Sequence, residues 1–339
     1  MSYKRINGPI SGVANDNTVN APKIVSLQYK TTTMYKNKFK GHLALLLANI
    51  IFGVNNPVAR MLMPEVLDPM VLTFFRFSGG MVLFWVASLF FKQEHVPAKD
   101  VLLLFFASVL GLSLNQLPFF FGLSMTSSID ASIVVTMLPI VTMLLAALFL
   151  REPITQMKAV GVLVGASGAL IIVFSSHSTA QSVNGNMVGN LIVFLAVISF
   201  SLYLTLFKNL ISKYQPVTVM KWMFLFATIT GLPFCYVPLV ELNAAALSVS
   251  EWMSVGFVVL FATFLGYLLL PIGQKTLRPT TLSMYNYVQP IVASLVAIFM
   301  GIDRFGYQQA LAAVLVFSGV YIVTQSKSRA QLEAERVKV

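Results

Sequence analysis

Long apolar runs separated by short polar links take up most of this chain. A helix of about 20 apolar residues crosses about 30 Å of hydrocarbon, and the runs have that length. Because they are too long for typical strands, their length favours helices. The ten runs are residues 42–63, 69–91, 100–124, 129–149, 155–174, 187–211, 217–240, 251–271, 280–300 and 306–325. We therefore predict an all-α integral membrane protein with ten transmembrane helices.

One stretch of the chain occurs twice. Residues 131–173 align without a gap with residues 282–324, which lie 151 positions further on, and ten of the 43 aligned pairs are identical. Each copy has two apolar runs, with Pro139 or Pro290 near the middle of the first. Few apolar segments would match in this way by chance, so we predict two similar five-helix halves. The predicted segments are a disordered cytoplasmic tail at 1–40, a first repeat at 41–175, a second repeat at 186–326 and a cytoplasmic C-terminal tail at 327–339.

The composition supports a membrane protein and excludes several other classes. Hydrophobic residues make up 57% of the chain and charged residues only 10%, with a mean hydropathy of +0.80, which lies outside the usual range of soluble proteins. The net charge of +11 lies almost wholly in the links, so binding to nucleic acid is not expected. Cys235 is the single cysteine, which excludes an internal disulfide and a multi-cysteine metal site.

Lysine and arginine lie mainly on one side of the predicted membrane. With the N-terminus inside, 20 of the 23 occupy cytoplasmic links or tails, which is the distribution of the positive-inside rule. Both termini are then cytoplasmic, and we expect a multi-pass protein of the bacterial inner membrane. Because each half has an odd number of spans, the second half has the opposite orientation, with Glu152 at an inner link and its counterpart Asp303 at an outer one. Inverted repeats are typical of secondary transporters.

Several short motifs occur in an order that is typical of one transporter family. They are residues 48–57 (ANIIFGVNNP), residues 75–77 (FRF), and residues 136–139 (TMLP) followed by Glu152 and the glycines at 161, 165 and 168. With these motifs the chain resembles, from about residue 41 to residue 326, the EamA family of the drug/metabolite transporter superfamily. The resemblance implies two EamA-like repeats and export or exchange of a small metabolite through a central cavity. Asp303 departs from the family, which usually has glutamate there.

Polar and aromatic side chains within the spans form the candidate substrate site. Polar groups in hydrocarbon must face protein or water, and aromatic rings mixed with a few hydrogen-bonding groups are typical of a small-molecule site. The candidates are Asn49, Asn56, Arg76, Asn115, Gln116, Tyr203, Tyr267, Tyr285, Asn286 and Gln289. The alternative role for each amide or hydroxyl is an interhelical hydrogen bond of about 1 kcal/mol. Arg76 is the one full charge well inside a span, and its alternative is to reach the membrane interface.

Three further residues are candidates for movement and energy coupling. Pro139 and Pro290 each remove a backbone hydrogen bond near the middle of a span, so we interpret them as hinges, with a packing kink as the alternative. Asp130, just before the fourth span, is the candidate proton site, and its alternative role is an N-cap.

The predicted function is transport, in the direction of export and by alternating access, of a small neutral, zwitterionic or single-carboxylate metabolite, such as an amino acid or a related compound. A sugar-nucleotide carrier would need several cationic groups to hold phosphate, and only Arg76 is available. A proton-coupled drug or metabolite antiporter is the alternative, and a multispan sensor is a further one.

Catalysis is not expected, because the three histidines, His42, His95 and His177, all lie at predicted membrane edges. No cofactor and no metal site is predicted. The expected partners are the small-molecule substrate and the lipid bilayer, and the protein is expected to be a monomer or a weak homodimer.

Overall fold

The structure is a computed structural model that describes residues 21–63, 66–126, 128–175, 187–299, 307–327 and 331. Within these residues the chain is helical and contains no β-strand, which confirms the all-α prediction for this part. The α-helices are α1 Ala21–Leu62, α2 Pro69–Ser88, α3 Ala98–Ser108, α4 Leu114–Met125, α5 Ser128–Thr136, α6 Leu138–Leu150, α7 Gln156–Ser175, α8 Met187–Leu206, α9 Lys208–Lys213, α10 Pro216–Glu241, α11 Val249–Phe257, α12 Gly266–Thr276, α13 Pro279–Met284, α14 Val288–Phe299 and α15 Tyr307–Gln325. The remaining helical segments are two π-helical stretches, Val109–Ser113 and Val258–Leu265, and two 3₁₀ turns, Ala244–Ala246 and Tyr285–Tyr287.

The first helix begins well before the predicted first span. The described part of the chain is helical from Ala21 onward, whereas we predict a disordered tail up to residue 40 from the sequence. Pro22 lies in the first turn, where its missing N–H is tolerated. No other proline and no glycine occurs between Pro22 and Gly41, so nothing interrupts the backbone hydrogen bonds of this part of the helix. The first 20 residues, and most of the predicted C-terminal tail, lie outside the described part.

Seven helical segments of the described part are long and apolar enough to cross a membrane. They are Lys38–Ala59, Pro69–Ser88, Ala98–Leu123, Ala131–Leu150, Met187–Leu206, Pro216–Glu241 and Val249–Thr276. Gln156–Ile171 and Ala310–Gln325 are shorter apolar helices, and the predicted span at 280–300 is divided among α13, a 3₁₀ turn and α14. Every predicted span therefore coincides with helix, but the count of ten crossings stays a prediction.

Each half has a π-helical stretch in the corresponding helix. Val109–Ser113 joins α3 to α4, and Val258–Leu265 joins α11 to α12. A shift of 151 positions moves the first stretch onto residues 260–264, inside the second. π-Helical turns are often found at functional sites. The match extends the internal repeat to a helix in which the sequences alone do not reveal it.

Helices at equivalent places in the two halves pack against each other, α7 along α15 and α2 along α10. Small residues let the α7 and α15 backbones approach closely. A methyl group on Gly319 would lie 2.6 Å from the Gly161 carbonyl oxygen, and one on Gly168 would lie 2.8 Å from the Ala312 carbonyl oxygen. Positions 161 and 168 correspond to 312 and 319 in the repeat. The contact is therefore the same from both sides, as approximate two-fold symmetry requires.

Four links that carry lysine or arginine lie together at one end of the helices, which we call the basic end. They are residues 89–97, 151–155, 207–215 and 277–278. The backbone N–H of Gln215 donates to the Glu94 carboxylate across 2.8 Å, and the Tyr214 hydroxyl donates to the Asp100 carboxylate across 2.5 Å. This second hydrogen bond raises the pKa of Tyr214 to about 12.

A buried ion pair also lies at the basic end. Lys158, in the first turn of α7, is 1% exposed, and its Nζ lies 2.9 Å from Glu152 Oε2. Lys208 and Arg278 interact electrostatically with the same carboxylate. Burial lowers the pKa of the Arg278 guanidinium, and Glu152 opposes that shift. Because three cations share one carboxylate, Glu152 is the residue on which the charge balance of this region depends.

Candidate functional site

Side chains from both halves meet in what we call the central polar network, which consists of Arg76, Gln116, Thr263 and Tyr267. Arg76 Nε donates to Thr263 Oγ1 across 3.2 Å, and Gln116 Nε2 donates to the Tyr267 hydroxyl across 3.0 Å. Arg76 also interacts with the Tyr267 hydroxyl. Arg76 is half-buried and the other three are buried. Positions 116 and 267 are 151 apart, so two repeat-equivalent residues touch where the halves face each other.

The second π-helical stretch and α12 place the hydroxyl groups of this network. The Thr263 hydroxyl donates to the Val258 carbonyl oxygen, five residues earlier, across 3.1 Å. Thr263 and Tyr267 are four residues apart, so they lie on neighbouring turns of one helical face. Phe52 and Phe224 pack edge-on against the Tyr267 ring, with centroids 5.6 and 5.3 Å away. The network therefore lies among aromatic rings, where electrostatic interactions are screened less than in water.

Arg76 has no acidic partner among the residues that the structure describes. The two ion pairs in this part of the chain both involve residues close to the basic end. A guanidinium has five N–H donors, and the hydroxyls of Thr263 and Tyr267 satisfy only part of them. The network thus holds one positive charge with donor capacity to spare.

A second group of predicted residues connects α1 with the broken helix α13–α14. Gln289 Nε2 donates to Asn49 Oδ1 across 2.8 Å and to Asn286 Oδ1 across 3.1 Å. Asn49 Nδ2 in turn donates to the Leu45 backbone oxygen across 2.8 Å. Asn49 is buried, whereas Asn286 and Gln289 are half-buried. The structure therefore brings three of the predicted residues into one hydrogen-bonded group.

Three other predicted residues have separate partners. The contacts are Tyr203 hydroxyl to Gln274 Oε1 at 3.1 Å, Asn115 Nδ2 to the Ala196 backbone oxygen at 3.3 Å, and Tyr285 hydroxyl with His42 Nδ1 at 2.8 Å. Each contact connects two helices that are distant in sequence. These three residues therefore fit the alternative role of interhelical hydrogen bonding.

The ten candidate site residues do not include Asn55, Thr263 or Gln274, although the sequence places Asn55 beside Asn56 and Thr263 four residues from Tyr267 within the apolar spans. Asn55 is 7% exposed and its Oδ1 has no partner in the described part, whereas Asn56 is exposed. Consecutive helical residues point about 100° apart, and a pattern with amides at both positions does not decide which one faces inward. The polarity of Gln274 near the end of an apolar helix is the signal that could have identified that residue.

Both predicted hinge prolines follow breaks in their helices. Helix α5 ends at Thr136, three residues before Pro139, and the 3₁₀ turn ends at Tyr287, three residues before Pro290. The Tyr287 hydroxyl donates to the Thr136 backbone oxygen across 2.7 Å. Positions 136 and 287 are again 151 apart, so the two breaks contact each other at equivalent places. Movement about them stays a prediction.

Asp130 belongs to α5, but its side chain lies outside the described part, and its role as a proton site stays a prediction. Within the described residues no group of three or more histidine, cysteine, aspartate or glutamate side chains is placed to hold a metal ion.

A pocket of about 460 Å³ lies away from the central polar network, between the start of α2 and the end of α10. Asp68, Glu241 and Glu251 contribute carboxylates to it. Asp68 caps α2 by accepting a hydrogen bond from the Met70 N–H across 2.7 Å, and Glu251 completes the capping box of α11 with Ser248. Because two of the carboxylates have these structural roles, we assign no ligand to the pocket.

Long apolar helices, with polar groups buried between two equivalent halves, define a multi-pass helical membrane protein. The sequence profile of the EamA-like transporter family matches residues 39–174 and 187–325. The two matches coincide closely with the two predicted repeats and cover most of the chain. The chain therefore belongs to the EamA-like transporter family, and the resemblance noted from its motifs is confirmed.

Similar proteins from archaea, bacteria and plants are named as transporters or WAT1-related proteins. The chain is 26% identical over 261 residues to an uncharacterized transporter of Archaeoglobus fulgidus, a match that covers 77% of this chain and 90% of that protein. It is 22% identical to the uncharacterized transporter YetK of Bacillus subtilis, with 87% and 90% covered, and 20% identical to a WAT1-related protein of Arabidopsis thaliana, with 85% and 84% covered. A solved crystal structure that is 18% identical has the same fold, with a TM-score of 0.68 over 86% of this chain and 97% of that chain. Together with the apolar helices, these matches identify a multi-pass membrane transporter.

Proposed function

We propose that this protein is a secondary transporter that moves a small metabolite by alternating access between two inverted five-helix repeats. The observation that carries the proposal is the contact of repeat-equivalent residues, Gln116 with Tyr267 and Thr136 with Tyr287. Groups at the junction of two equivalent halves change their surroundings when the halves rock, as alternating access requires. The substrate is a neutral, zwitterionic or single-carboxylate metabolite, such as an amino acid or a related compound, and the direction is export.

In this proposal the chain crosses the cell membrane ten times, and the basic end faces the cytoplasm together with both termini. The excess of lysine and arginine in the links of the basic end supports that orientation. The sequence contains no P-loop motif, so ATP is not the proposed energy source. We propose that concentration gradients drive transport instead, by substrate exchange or by facilitated diffusion.

Counterflow in proteoliposomes tests this function. Vesicles that contain the wild type are preloaded with individual metabolites to find a compound that it exchanges. The exchange rate of that compound is then measured in vesicles that contain Asn286→Ala. We expect a decrease in exchange of about tenfold, which corresponds to the loss of one hydrogen bond to the substrate, with little change in melting temperature because Asn286 is half-buried. Asn243→Ala, at an exposed position between α10 and α11, is the matched control and should exchange like the wild type.

Two outcomes contradict the proposal. If no metabolite in a broad library undergoes counterflow with the folded wild type, the transport function is wrong. If the wild type instead concentrates its substrate when only a pH gradient is applied, proton antiport replaces exchange as the mechanism.

A further inference from the structure

We propose that Arg76 and Tyr267 form a subsite for a carboxylate group, which narrows the substrate to a small monocarboxylate, zwitterions included. The proposal rests on the proposed function, since it specifies the substrate of that same site. It depends on the hydrogen-bonding capacity that remains in the central polar network and on the charge that the network leaves unbalanced.

The O–H group of Tyr267 is available to donate a hydrogen bond to a ligand. A phenol has one O–H donor, and its oxygen accepts up to two hydrogen bonds. Gln116 Nε2 donates to that oxygen across 3.0 Å, and Arg76 interacts with it as well. Because the O–H proton of Tyr267 has no acceptor in the part of the chain that the structure describes, it remains for a group that accepts hydrogen bonds. An ionised carboxylate is such a group.

Arg76 supplies the charge for the same ligand. Its Nε is bound to Thr263, which is fully buried, so the guanidinium is directed into the protein and not toward lipid. The terminal Nη groups match the two oxygens of a carboxylate in a paired geometry. No acidic side chain of the described part neutralises this cation. One bound carboxylate would balance it, whereas a phosphate would bring excess negative charge.

Gln116 and the neighbouring aromatic rings further define the ligand. Gln116 is 6% exposed, and its Oε1 has no partner in the part of the chain that the structure describes. A carboxylate whose adjacent atom carries an N–H or O–H would satisfy this acceptor. Phe52 and Phe224, which pack around Tyr267, reduce the local screening and therefore strengthen the charge interaction. They also provide apolar contact for an uncharged substituent of the ligand.

Mandelate has these features, because it combines one carboxylate, an adjacent hydroxyl and an aromatic ring. Mandelamide has nearly the same shape but no charge. The experiment measures binding of both compounds to purified full-length protein in detergent, at constant ionic strength, by isothermal titration and by thermal stabilisation. We expect saturable binding of mandelate and binding of mandelamide at least about tenfold weaker, since the charge-assisted hydrogen bonds are lost.

Substitutions of Arg76 and Tyr267 test whether mandelate binds at the proposed subsite. Arg76→Gln and Tyr267→Phe should each weaken mandelate binding by about tenfold or more. Arg151→Gln, which removes an exposed arginine at the basic end, is the control for the loss of one positive charge and should bind like the wild type. If Arg76→Gln does not fold, Arg76→Lys replaces it, because lysine keeps the charge but loses the paired geometry, and it should also bind about tenfold more weakly.

Equal binding of mandelate and mandelamide, or unchanged mandelate binding in the Arg76 and Tyr267 variants, overturns the carboxylate subsite. Different results test the proposed transport function. If mandelate binds through Arg76 while proteoliposomes exchange no metabolite, the subsite stands and transport is wrong. If proteoliposomes exchange neutral metabolites and mandelate does not bind, transport stands and the subsite is wrong.

Discussion

At the scale of single residues, the buried ion pair of Glu152 and Lys158 makes the sharpest prediction about stability. Removing one partner of a buried pair leaves an uncompensated charge, which typically costs about 3–5 kcal/mol. Lys158 is 1% exposed, and Lys208 and Arg278 depend on the same carboxylate. We therefore expect Glu152→Gln to lower the free energy of unfolding by about that amount, measured by equilibrium unfolding in mixed micelles.

The ion pair of Lys213 and Asp100, in which the lysine is exposed, is the control for this prediction. Lys213 is 56% exposed and lies 3.2 Å from Asp100, so Lys213→Met should cost only about 0–1 kcal/mol. Combining Glu152→Gln with Lys158→Met removes the unpaired ammonium and should restore part of the lost stability. A Glu152→Gln protein that is as stable as Lys213→Met would contradict a structural role for the buried pair.

The polar residues of the candidate site could be predicted from the sequence, but their hydrogen-bond partners could not. Arg76 stands out as a lone charge in an apolar run, and the amides stand out in the same way. Their partners depend on how the halves pack, because Gln116 and Tyr267 are 151 residues apart. Thr263 reaches Arg76 from within a π-helical stretch, and no residue pattern that we used indicates such a stretch.

At the scale of helices, the contact between α7 and α15 has little room for added atoms. A Cβ on Gly319 would lie 2.6 Å from both the Gly161 carbonyl oxygen and the Gly165 backbone nitrogen. Neither backbone atom can move aside cheaply, so Gly319→Ala should separate the two helices and lower the free energy of unfolding by about 1–3 kcal/mol, as overpacking typically does. Equilibrium unfolding and the yield of folded protein measure this effect.

Gly256 in α11 is the matched control, because a Cβ there meets nothing within 4 Å. Alanine favours helix over glycine by about 1 kcal/mol, so Gly256→Ala should leave the protein equally stable or more stable. If Gly319→Ala behaves in the same way, the close approach of α7 and α15 is incorrect.

Helix positions were predictable because apolar length determines them, whereas helix interruptions were predictable only where proline is present. Pro139 and Pro290 indicated the middle of each affected helix, and the breaks lie three residues before them. The polar composition of residues 21–40 favours a disordered tail, whereas the structure has helix there; these residues contain no glycine and only one proline, Pro22.

At the scale of the whole molecule, two hydrogen bonds and one helix pair express the same internal symmetry. Gln116–Tyr267 and Thr136–Tyr287 join positions related by the 151-residue shift. The α7–α15 contact joins two helices related by the same shift, with Gly161 against Gly319 and Gly168 against Ala312. The sequence alignment supplied that shift from two predicted helices of each half, and the structure extends it to the π-helical stretches. A two-fold relation of this kind is compatible with inverted repeats, and the proposed orientation follows from the charges of the links.

That orientation can be tested with single cysteines in a Cys235→Ala background, which removes the one native thiol. Ser212→Cys lies at an exposed position of the basic end, which we place in the cytoplasm, whereas Ser178→Cys lies in the predicted outer link after α7. An impermeant maleimide added to intact cells should therefore label Ser178→Cys and leave Ser212→Cys unlabelled. After permeabilisation both should react, which controls for the reactivity of each thiol. Labelling of Ser212→Cys alone in intact cells would reverse the orientation, and labelling of both would place the two links on the same side and exclude an odd number of crossings between them.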